Sequence, residues 1–218
     1  LDYDVLTDIK IPTEFCLETL KQQAIVNSGT VFEFKDQISG EEHSFSYPDG
    51  ILAYVREVNQ EKGRMSNAYS FQGEGKGRDR SDREEYRVNA TIAFAFNKKS
   101  NLLSYYHNSS PLEYGGSPDR AVRSAFVSVF DDWLKQENKY KSNESKISFT
   151  DIEDSLIIVT SSFSTITSYE NQTKRSINNQ YIQRFMTELI RNKLDIWFIE
   201  HREMSLRVLD QVMINKRS

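Results

Sequence analysis

The stretch Glu85–Asn97, EYRVNATIAFAFN, alternates apolar and polar residues more regularly than any other part of this chain. Successive side chains of a strand point to opposite faces of the sheet, so the apolar positions share one face and the polar positions share the other. The pattern therefore predicts a strand with one buried face, formed by Tyr86, Val88, Ala90, Ile92, Phe94 and Phe96.

The segments after this strand predict a partner strand and a long helix. A turn at Lys98–Asn101 leads into Leu102–Asn108, which we expect to pair with the first strand. Ser117 is a candidate N-cap, and Pro118 suits the first helical position, where its missing N–H costs nothing. The apolar spacing behind them predicts a helix that buries Val122, Ala125, Phe126, Val129, Phe130 and Trp133.

The last third of the chain predicts one more strand and two helices. Leu156–Val159 is an apolar run typical of a buried strand, and a polar loop follows it. The first helix after the loop has an apolar stripe of Ile182, Phe185, Met186, Leu189, Ile190, Trp197 and Phe198. The second carries Met204, Leu206, Leu209 and Val212.

The N-terminal part predicts a helix, a hairpin and a second helix. Residues 13–26 have helical periodicity, and Thr30–Asp36 and His43–Tyr47 alternate as two arms of a hairpin. Asp49 is a candidate N-cap for a helix over Gly50–Gln60. The predicted fold class is α+β, a mostly antiparallel sheet with helices largely on one side and a long helical segment at the C-terminus.

Composition excludes several classes of protein. The chain is 38% hydrophobic and 28% charged, typical of a globular protein, and no apolar run approaches the roughly 20 residues of a membrane helix. The net charge of −4 is uneven: residues 1–48 hold 3 Lys/Arg and 9 Asp/Glu, and residues 49–218 hold 25 and 23. A single cysteine, Cys16, excludes an internal disulfide and suits a reducing cytosol. Because the chain opens at Leu1 and ends within a helical pattern, we expect it to be part of a longer protein.

A glycine-rich segment separates the predicted strand Asn67–Phe71 from Glu85. Residues 73–84 read GEGKGRDRSDRE, and their glycines raise the alternative of a phosphate-binding loop. Basic and acidic side chains are balanced over Glu74–Arg87, which favours a mobile, solvated hairpin tip.

The polar loop before the long helices, Thr167–Lys174 (TSYENQTK), has the clearest binding chemistry. Gln172 and Lys174 are two residues apart, so in an extended segment both would project to the same side. A lysine ammonium is a compact charge suited to a terminal phosphate, and an amide adds a directional donor. The loop is therefore a candidate anion-binding site, with an ordinary solvated loop as the alternative.

No other motif indicates a catalytic or metal site. His43, His107 and His201 lack metal-ligand spacing, and the two in strand patterns favour structural roles. No GxSxG elbow is present, and Cys16 has no evident activating partner. The chain alone is therefore expected to lack a complete active site.

Five short motifs occur in a distinctive order: Leu17–Val31 with Asn27-Ser-Gly29, Tyr47–Ile51 before a helix, Tyr114–Pro118 before another helix, Asp151–Leu156 before a strand, and Gln172-Thr-Lys174. In this order they resemble the B subunits of bacterial type IIA topoisomerases, DNA gyrase and topoisomerase IV. The resemblance covers essentially the whole chain, although the segment Gly73–Glu84 is unlike the family.

The resemblance implies that residues 1–48 are the C-terminal edge of an ATPase domain and residues 49–218 a transducer domain. The transducer fold is similar to the second domain of a small-subunit ribosomal protein. In that family the glutamine and lysine of the QTK loop bind the γ-phosphate of ATP held by the ATPase domain. Gln172 and Lys174 would then bind the nucleotide, and Lys174 would be the catalytic residue.

The resemblance also implies cofactors, partners and location. ATP would be used with Mg²⁺ bound mainly by the ATPase domain. The partners would be DNA, an A subunit in a heterotetramer and a second copy joined through the ATPase domain, in the cytoplasm and without a membrane. Two alternatives remain: a stand-alone nucleic-acid-binding module that uses the sheet face and the basic loop, and the transducer of a related mismatch-repair or chaperone ATPase.

Overall fold

The computed structural model describes residues 11–218, so the first ten residues of the predicted 1–48 edge lie outside the described part. The elements, in chain order, are α1 (Thr13–Val26), β1 (Val31–Lys35), β2 (Glu42–Ser46), α2 (Ile51–Val58), β3 (Tyr69–Gly77), β4 (Tyr86–Phe96), β5 (Leu102–His107), β6 (Ser110–Pro111), α3 (Ser117–Gln136), α4 (Phe149–Glu153), β7 (Leu156–Ser164), α5 (Gln180–Glu200) and α6 (Arg202–Lys216). Among these residues no helix has the length and apolar character that a membrane span requires.

The main sheet has five strands in the order β3-β4-β7-β5-β6, and β1 and β2 form a separate hairpin. The predicted pairing of β4 with β5 is wrong. β7 pairs antiparallel with β4, and β5 lies beyond it, parallel to β7. β7 offers β4 a nine-residue partner, from Phe96↔Leu156 to Val88↔Ser164, which the shorter β5 does not match. The predicted α+β class is confirmed, with a mixed sheet.

The apolar face predicted for β4 is confirmed as the main core. Its six members are all buried, and α3, α5 and α6 cover them. Phe94 is central, since its ring centroid lies 5.8 Å from that of Trp197 and 6.3 Å from that of Phe126. Burying an aromatic side chain of this kind stabilises the fold by roughly 1.5–3 kcal/mol, so this layer fixes the helices relative to the sheet.

Helices also cover the opposite face of the sheet, which corrects the prediction that they gather on one side. The residues between the predicted core positions of β4 include Ala93 and Ala95, which are apolar as well, so this half of the strand is buried on both faces. They pack with residues of α1, α2 and β7 in a second cluster: Ala24, Ile25, Ile51, Val55, Ile157 and Val159. Residues 11–58 therefore share a core with the sheet.

The predicted N-caps are wrong. Asp49 is not the cap of α2: Gly50 occupies that position with a φ of 54°, a conformation that glycine adopts readily, and Asp49 forms an ion pair with Arg56. Ser117 is the first residue of α3 instead of its cap, which is Gly116. In both cases a glycine with positive φ turns the chain sharply into the helix, so no side-chain cap forms.

Strand β3 is longer than predicted. Gly73–Gly77 is not part of a loop, because it continues the ladder with β4 up to the pair Gly77↔Tyr86. The three glycines of this segment share one face of the strand, which lies directly on α5. A Cβ at Gly75 would lie 2.7 Å from the Tyr181 hydroxyl oxygen and 2.9 Å from the Phe185 ring, so a larger residue would force these side chains to move. The glycines are therefore packing residues, and they form no phosphate-binding loop.

Candidate functional site

The 165–179 loop connects β7 to α5 and folds back on itself as a short hairpin. Tyr169 and Ile177 form an isolated antiparallel bridge between its two arms. Backbone hydrogen bonds extend the pairing: Glu170 N–H donates to the Ser176 carbonyl oxygen at 3.0 Å. These bonds bring the two arms together and leave Asn171–Lys174 at the tip.

The tip is a tight turn. The backbone N–H of Lys174 donates to the Asn171 carbonyl at 3.3 Å, and Lys174 has a φ of 59°. The predicted geometry, with Gln172 and Lys174 on one side of an extended segment, is therefore wrong. The Thr173 hydroxyl also donates to the Asn171 side-chain oxygen at 2.7 Å, a second hydrogen bond within the turn.

The Lys174 side chain is exposed and carries the chemistry of the tip. Its ammonium lies 5.7 Å from the centroid of the Tyr169 ring. Within residues 11–218 it has no hydrogen-bond or ion-pair partner, and Gln172 is exposed without a side-chain hydrogen bond. A cation–π contact at an exposed site is worth roughly 0.5–1 kcal/mol, too little to hold the ammonium against an anion. The tip therefore presents two donors suited to a phosphate.

The start of α3 holds the C-terminal arm of the loop. Gly116 and Ile177 form a parallel bridge, and the backbone N–H of Ser117 donates to the Ile177 oxygen at 2.8 Å. The Ser117 hydroxyl donates to the same oxygen at 3.2 Å. Next to this contact, Arg175 forms an ion pair with Glu113 at 2.9 Å. The Tyr114–Pro118 motif and the loop are thus one structural unit.

A second set of side chains connects the loop to α3. The Glu170 carboxylate accepts from the Ser176 hydroxyl at 2.7 Å and from the Arg120 guanidinium at 3.2 Å. The Ser176 hydrogen bond and then Arg120 lower the pKa of Glu170. The negative charge of Glu170 is therefore paired with the positive charge of Arg120.

His107 supports the N-terminal arm of the loop. The ring is fully buried, with Nδ1 2.8 Å from the Ser162 hydroxyl and Nε2 3.0 Å from the Thr167 hydroxyl. Hydroxyl groups both donate and accept, so they satisfy a neutral imidazole. Burial lowers the pKa of His107 to about 4. This confirms a structural role for His107.

The buried imidazole predicts a pH-dependent stability. The folded pKa of about 4 lies below the unfolded value of about 6.5, so the unfolded chain takes up a proton as pH falls while the folded chain does not. We expect the free energy of unfolding, measured with urea, to fall by about 1.4 kcal/mol between pH 7.5 and 5.5. His107→Gln should abolish this contribution and exposed His43→Gln should keep it; equal slopes in the two variants would contradict the assignment.

Sequence reasoning found the loop but missed the residues that hold it. Gly116 and Ile177 are 61 positions apart, and no local pattern signals their contact. Tyr169 and Arg120 likewise carry no sequence signature, although the Tyr114–Pro118 motif already pointed to the helix start that anchors the loop.

Comparisons with known proteins identify the family. A family model described as DNA gyrase B matches residues 50–218. The B subunit of DNA gyrase from Metamycoplasma arthritidis is 24% identical over 218 residues, which cover 100% of this chain and 34% of that protein. The B subunit of DNA topoisomerase 4 from Bacillus subtilis is 24% identical over 190 residues, covering 85% and 27%. The chain spans about a third of the length of the first of these curated relatives and about a quarter of the second.

Solved structures share the fold. The 43K ATPase domain of Thermus thermophilus gyrase B, in complex with an aminocoumarin, aligns with a TM-score of 0.73 and 16% identity over 97% of this chain and 55% of that one. The topoisomerase IV ATP-binding domain of Francisella tularensis aligns with a TM-score of 0.72 and 15% identity over 98% and 56%. Together with the family match over most of its length, this confirms the resemblance seen in the sequence, and the chain belongs to the DNA gyrase B family.

Proposed function

We propose that this chain is the transducer region of the B subunit of an ATP-dependent type IIA topoisomerase, and that its 165–179 loop senses the γ-phosphate of ATP. One observation carries the proposal: the Lys174 ammonium stands exposed at the tip of a loop that is anchored at both arms. A donor without a partner in residues 11–218, on a fixed support, is ready to bind an anion from a neighbouring domain. Gln172, exposed on the same turn, supplies the second donor.

The chemistry of these side chains suits a terminal phosphate. A hydrogen bond from an ammonium to a phosphate is charge-assisted and contributes about 1.5–3 kcal/mol. Hydrolysis of ATP releases the γ-phosphate, and the donors at the tip then lose their acceptor. An interaction of this size shifts a two-state equilibrium about 10- to 100-fold, so Lys174 is able to bias the position of the loop.

The anchors of the loop give a route by which its movement reaches the rest of the chain. The C-terminal arm is bonded to the first residue of α3 through Ile177 and continues directly into α5. These two helices pack tightly, since the ring centroid of Phe198 on α5 lies 5.1 Å from that of Phe130 and 5.2 Å from that of Trp133 on α3. A displaced loop therefore moves both helices together.

The wider assignment follows from the family. We assign residues 1–48 to the C-terminal edge of the ATPase domain and residues 49–218 to the transducer domain, with its ribosomal-protein-like fold. ATP and its Mg²⁺ belong to the ATPase domain, and no cluster of three or more metal-ligand side chains occurs within residues 11–218. DNA, an A subunit and a second copy of the B subunit are the proposed partners in the cytoplasm.

Nucleotide binding by the full-length protein tests the proposal. Lys174→Met should weaken the binding of a non-hydrolysable ATP analogue about 10- to 100-fold, because the charge-assisted bond is lost. ADP lacks the γ-phosphate, so its affinity should not change. Lys193→Met, an exposed lysine on α5, should leave both affinities unchanged. Titration calorimetry of the wild type and the two variants measures the six affinities, and an equal loss for both nucleotides in Lys174→Met would refute γ-phosphate sensing.

A further inference from the structure

The turn between β3 and β4 reaches the start of α5, where Asp79 makes three hydrogen bonds. One carboxylate oxygen accepts from the Tyr86 hydroxyl at 2.5 Å and from the backbone N–H of Tyr181 at 2.8 Å. The other oxygen accepts from the side-chain amide of Asn179 at 3.2 Å. Tyr181 lies in the first turn of α5, whose N–H groups have no partner within the helix. Asp79 therefore caps a helix that is about 100 residues away in sequence.

Asn179 connects this cap to the 165–179 loop. It precedes α5 but makes no side-chain bond to the helix, and its side chain is fully buried. Its amide oxygen accepts from the backbone N–H of Ser168 at 2.7 Å, on the opposite arm of the loop. Its amide nitrogen donates to Asp79 and, at 3.1 Å, to the Tyr86 hydroxyl. Asn179 thus ties the two arms together. Asp79 is the charged acceptor that orients its amide, next to a weaker bond from the amide nitrogen to the Ile166 carbonyl oxygen at 3.4 Å.

The glycine-rich part of β3 makes this connection possible. With Gly73, Gly75 and Gly77 facing α5, the strand lies against the helix and carries the turn to its N-terminus. A Cβ at Gly77 would lie 2.6 Å from a ring carbon of Tyr181 in the first turn of α5, so a larger residue there would push the strand and the helix apart. The segment Gly73–Glu84, which is unlike the family, therefore has a structural role: it places Asp79 next to Asn179.

We propose that Asp79 is a positioning residue for the 165–179 loop. Through Asn179 it holds both arms in place, and so it sets the position from which Lys174 meets an anion. The effect of Asp79 on nucleotide binding rests on the function proposed above. Its positioning of the loop, by contrast, depends on this chain alone.

Amide hydrogen exchange in the full-length protein without nucleotide tests whether Asp79 holds the loop in position. Asp79→Ala should speed the exchange of the Ser168 and Tyr181 amides at least about 10-fold, because Tyr181 loses its charged acceptor and the Asn179 amide that accepts from Ser168 loses the carboxylate that orients it. Asp79→Asn keeps an oxygen for Tyr181 but turns an N–H towards the Asn179 amide. Asp79→Asn should therefore speed the exchange of the Ser168 amide and leave the Tyr181 amide protected. Asp82→Ala is the matched control, since this exposed carboxylate in the same turn forms no side-chain hydrogen bond or ion pair within residues 11–218.

Measurements of nucleotide affinity then distinguish a positioning role of Asp79 from a general effect on the stability of the protein. Asp79→Ala and Asp79→Asn should each weaken binding of the ATP analogue about 3- to 10-fold and leave the affinity for ADP unchanged. In a protein that already carries Lys174→Met, neither substitution should reduce the affinity for the analogue further. Unchanged Ser168 exchange, or an equal loss of analogue affinity with and without Lys174, would overturn the proposal. If Lys174→Met alone has no effect on the analogue, γ-phosphate sensing fails, and the exchange data still decide whether Asp79 holds the loop.

Discussion

Replacing Lys174 with alanine in the full-length protein, assembled with the proposed A subunit, is expected to reduce ATP-driven DNA strand passage by at least about 100-fold. The ammonium is placed by an anchored loop and has no hydrogen-bond or ion-pair partner in residues 11–218, so its removal takes away the charge that would meet the γ-phosphate. The fold should be unaffected, because the side chain is exposed and contributes only a weak contact with Tyr169. Relaxation or supercoiling of plasmid DNA, together with ATP turnover, measures the effect.

Two further variants make this experiment decisive. Lys62→Ala removes an exposed lysine far from the loop in sequence and should keep full activity, which controls for a general change of surface charge. Lys174→Arg keeps the charge but changes its size and geometry, so it should recover only part of the activity. Wild-type ATP turnover in Lys174→Ala would contradict the role assigned to this residue.

Local patterns predicted the elements of the fold, and longer-range contacts explain what they missed. The alternation in Glu85–Asn97 depends only on which face each residue occupies, so the buried face of β4 followed from it directly. The pairing of β4 with β7 depends on segments that are far apart in sequence. The glycines after Phe71 indicate a loop because glycine is rare in strands, and only the close packing of α5 makes them suitable there.

The same distinction between local patterns and long-range contacts applies to the candidate site. The polar, charged loop between a strand and a helix was sufficient to predict an exposed Lys174, and the side chain is exposed in the structure. The turn at the tip was missed because nothing in the sequence requires a positive φ at Lys174. Asp79, Gly116 and Asn179 were missed as well, since each acts on a part of the chain remote in sequence.

Gly116→Ala is expected to lower the free energy of unfolding by roughly 2–6 kcal/mol. Gly116 has a φ of 90°, where an L-residue is strained by about 1–3 kcal/mol. A Cβ there would overlap the carbonyl oxygen of Ile177 and lie 2.7 Å from the Ser176 hydroxyl. Overpacking of this kind costs about 1–3 kcal/mol more, because a backbone atom cannot rotate away as a side chain can. Urea unfolding of the chain measures the change.

Gly40→Ala supplies the matched comparison. Gly40 has a φ of 78°, but no atom lies within 4 Å of the place that an alanine methyl group would occupy, so its substitution carries the strain without the overlap. It should cost about 1–3 kcal/mol, and less than Gly116→Ala. The difference between the two variants therefore isolates the contact between the start of α3 and the 165–179 loop. Equal losses of stability in the two variants would mean that the loop moves aside freely when a methyl group is added at Gly116. The contact between the loop and the start of α3 would then be too soft to transmit a movement of Lys174 to α3.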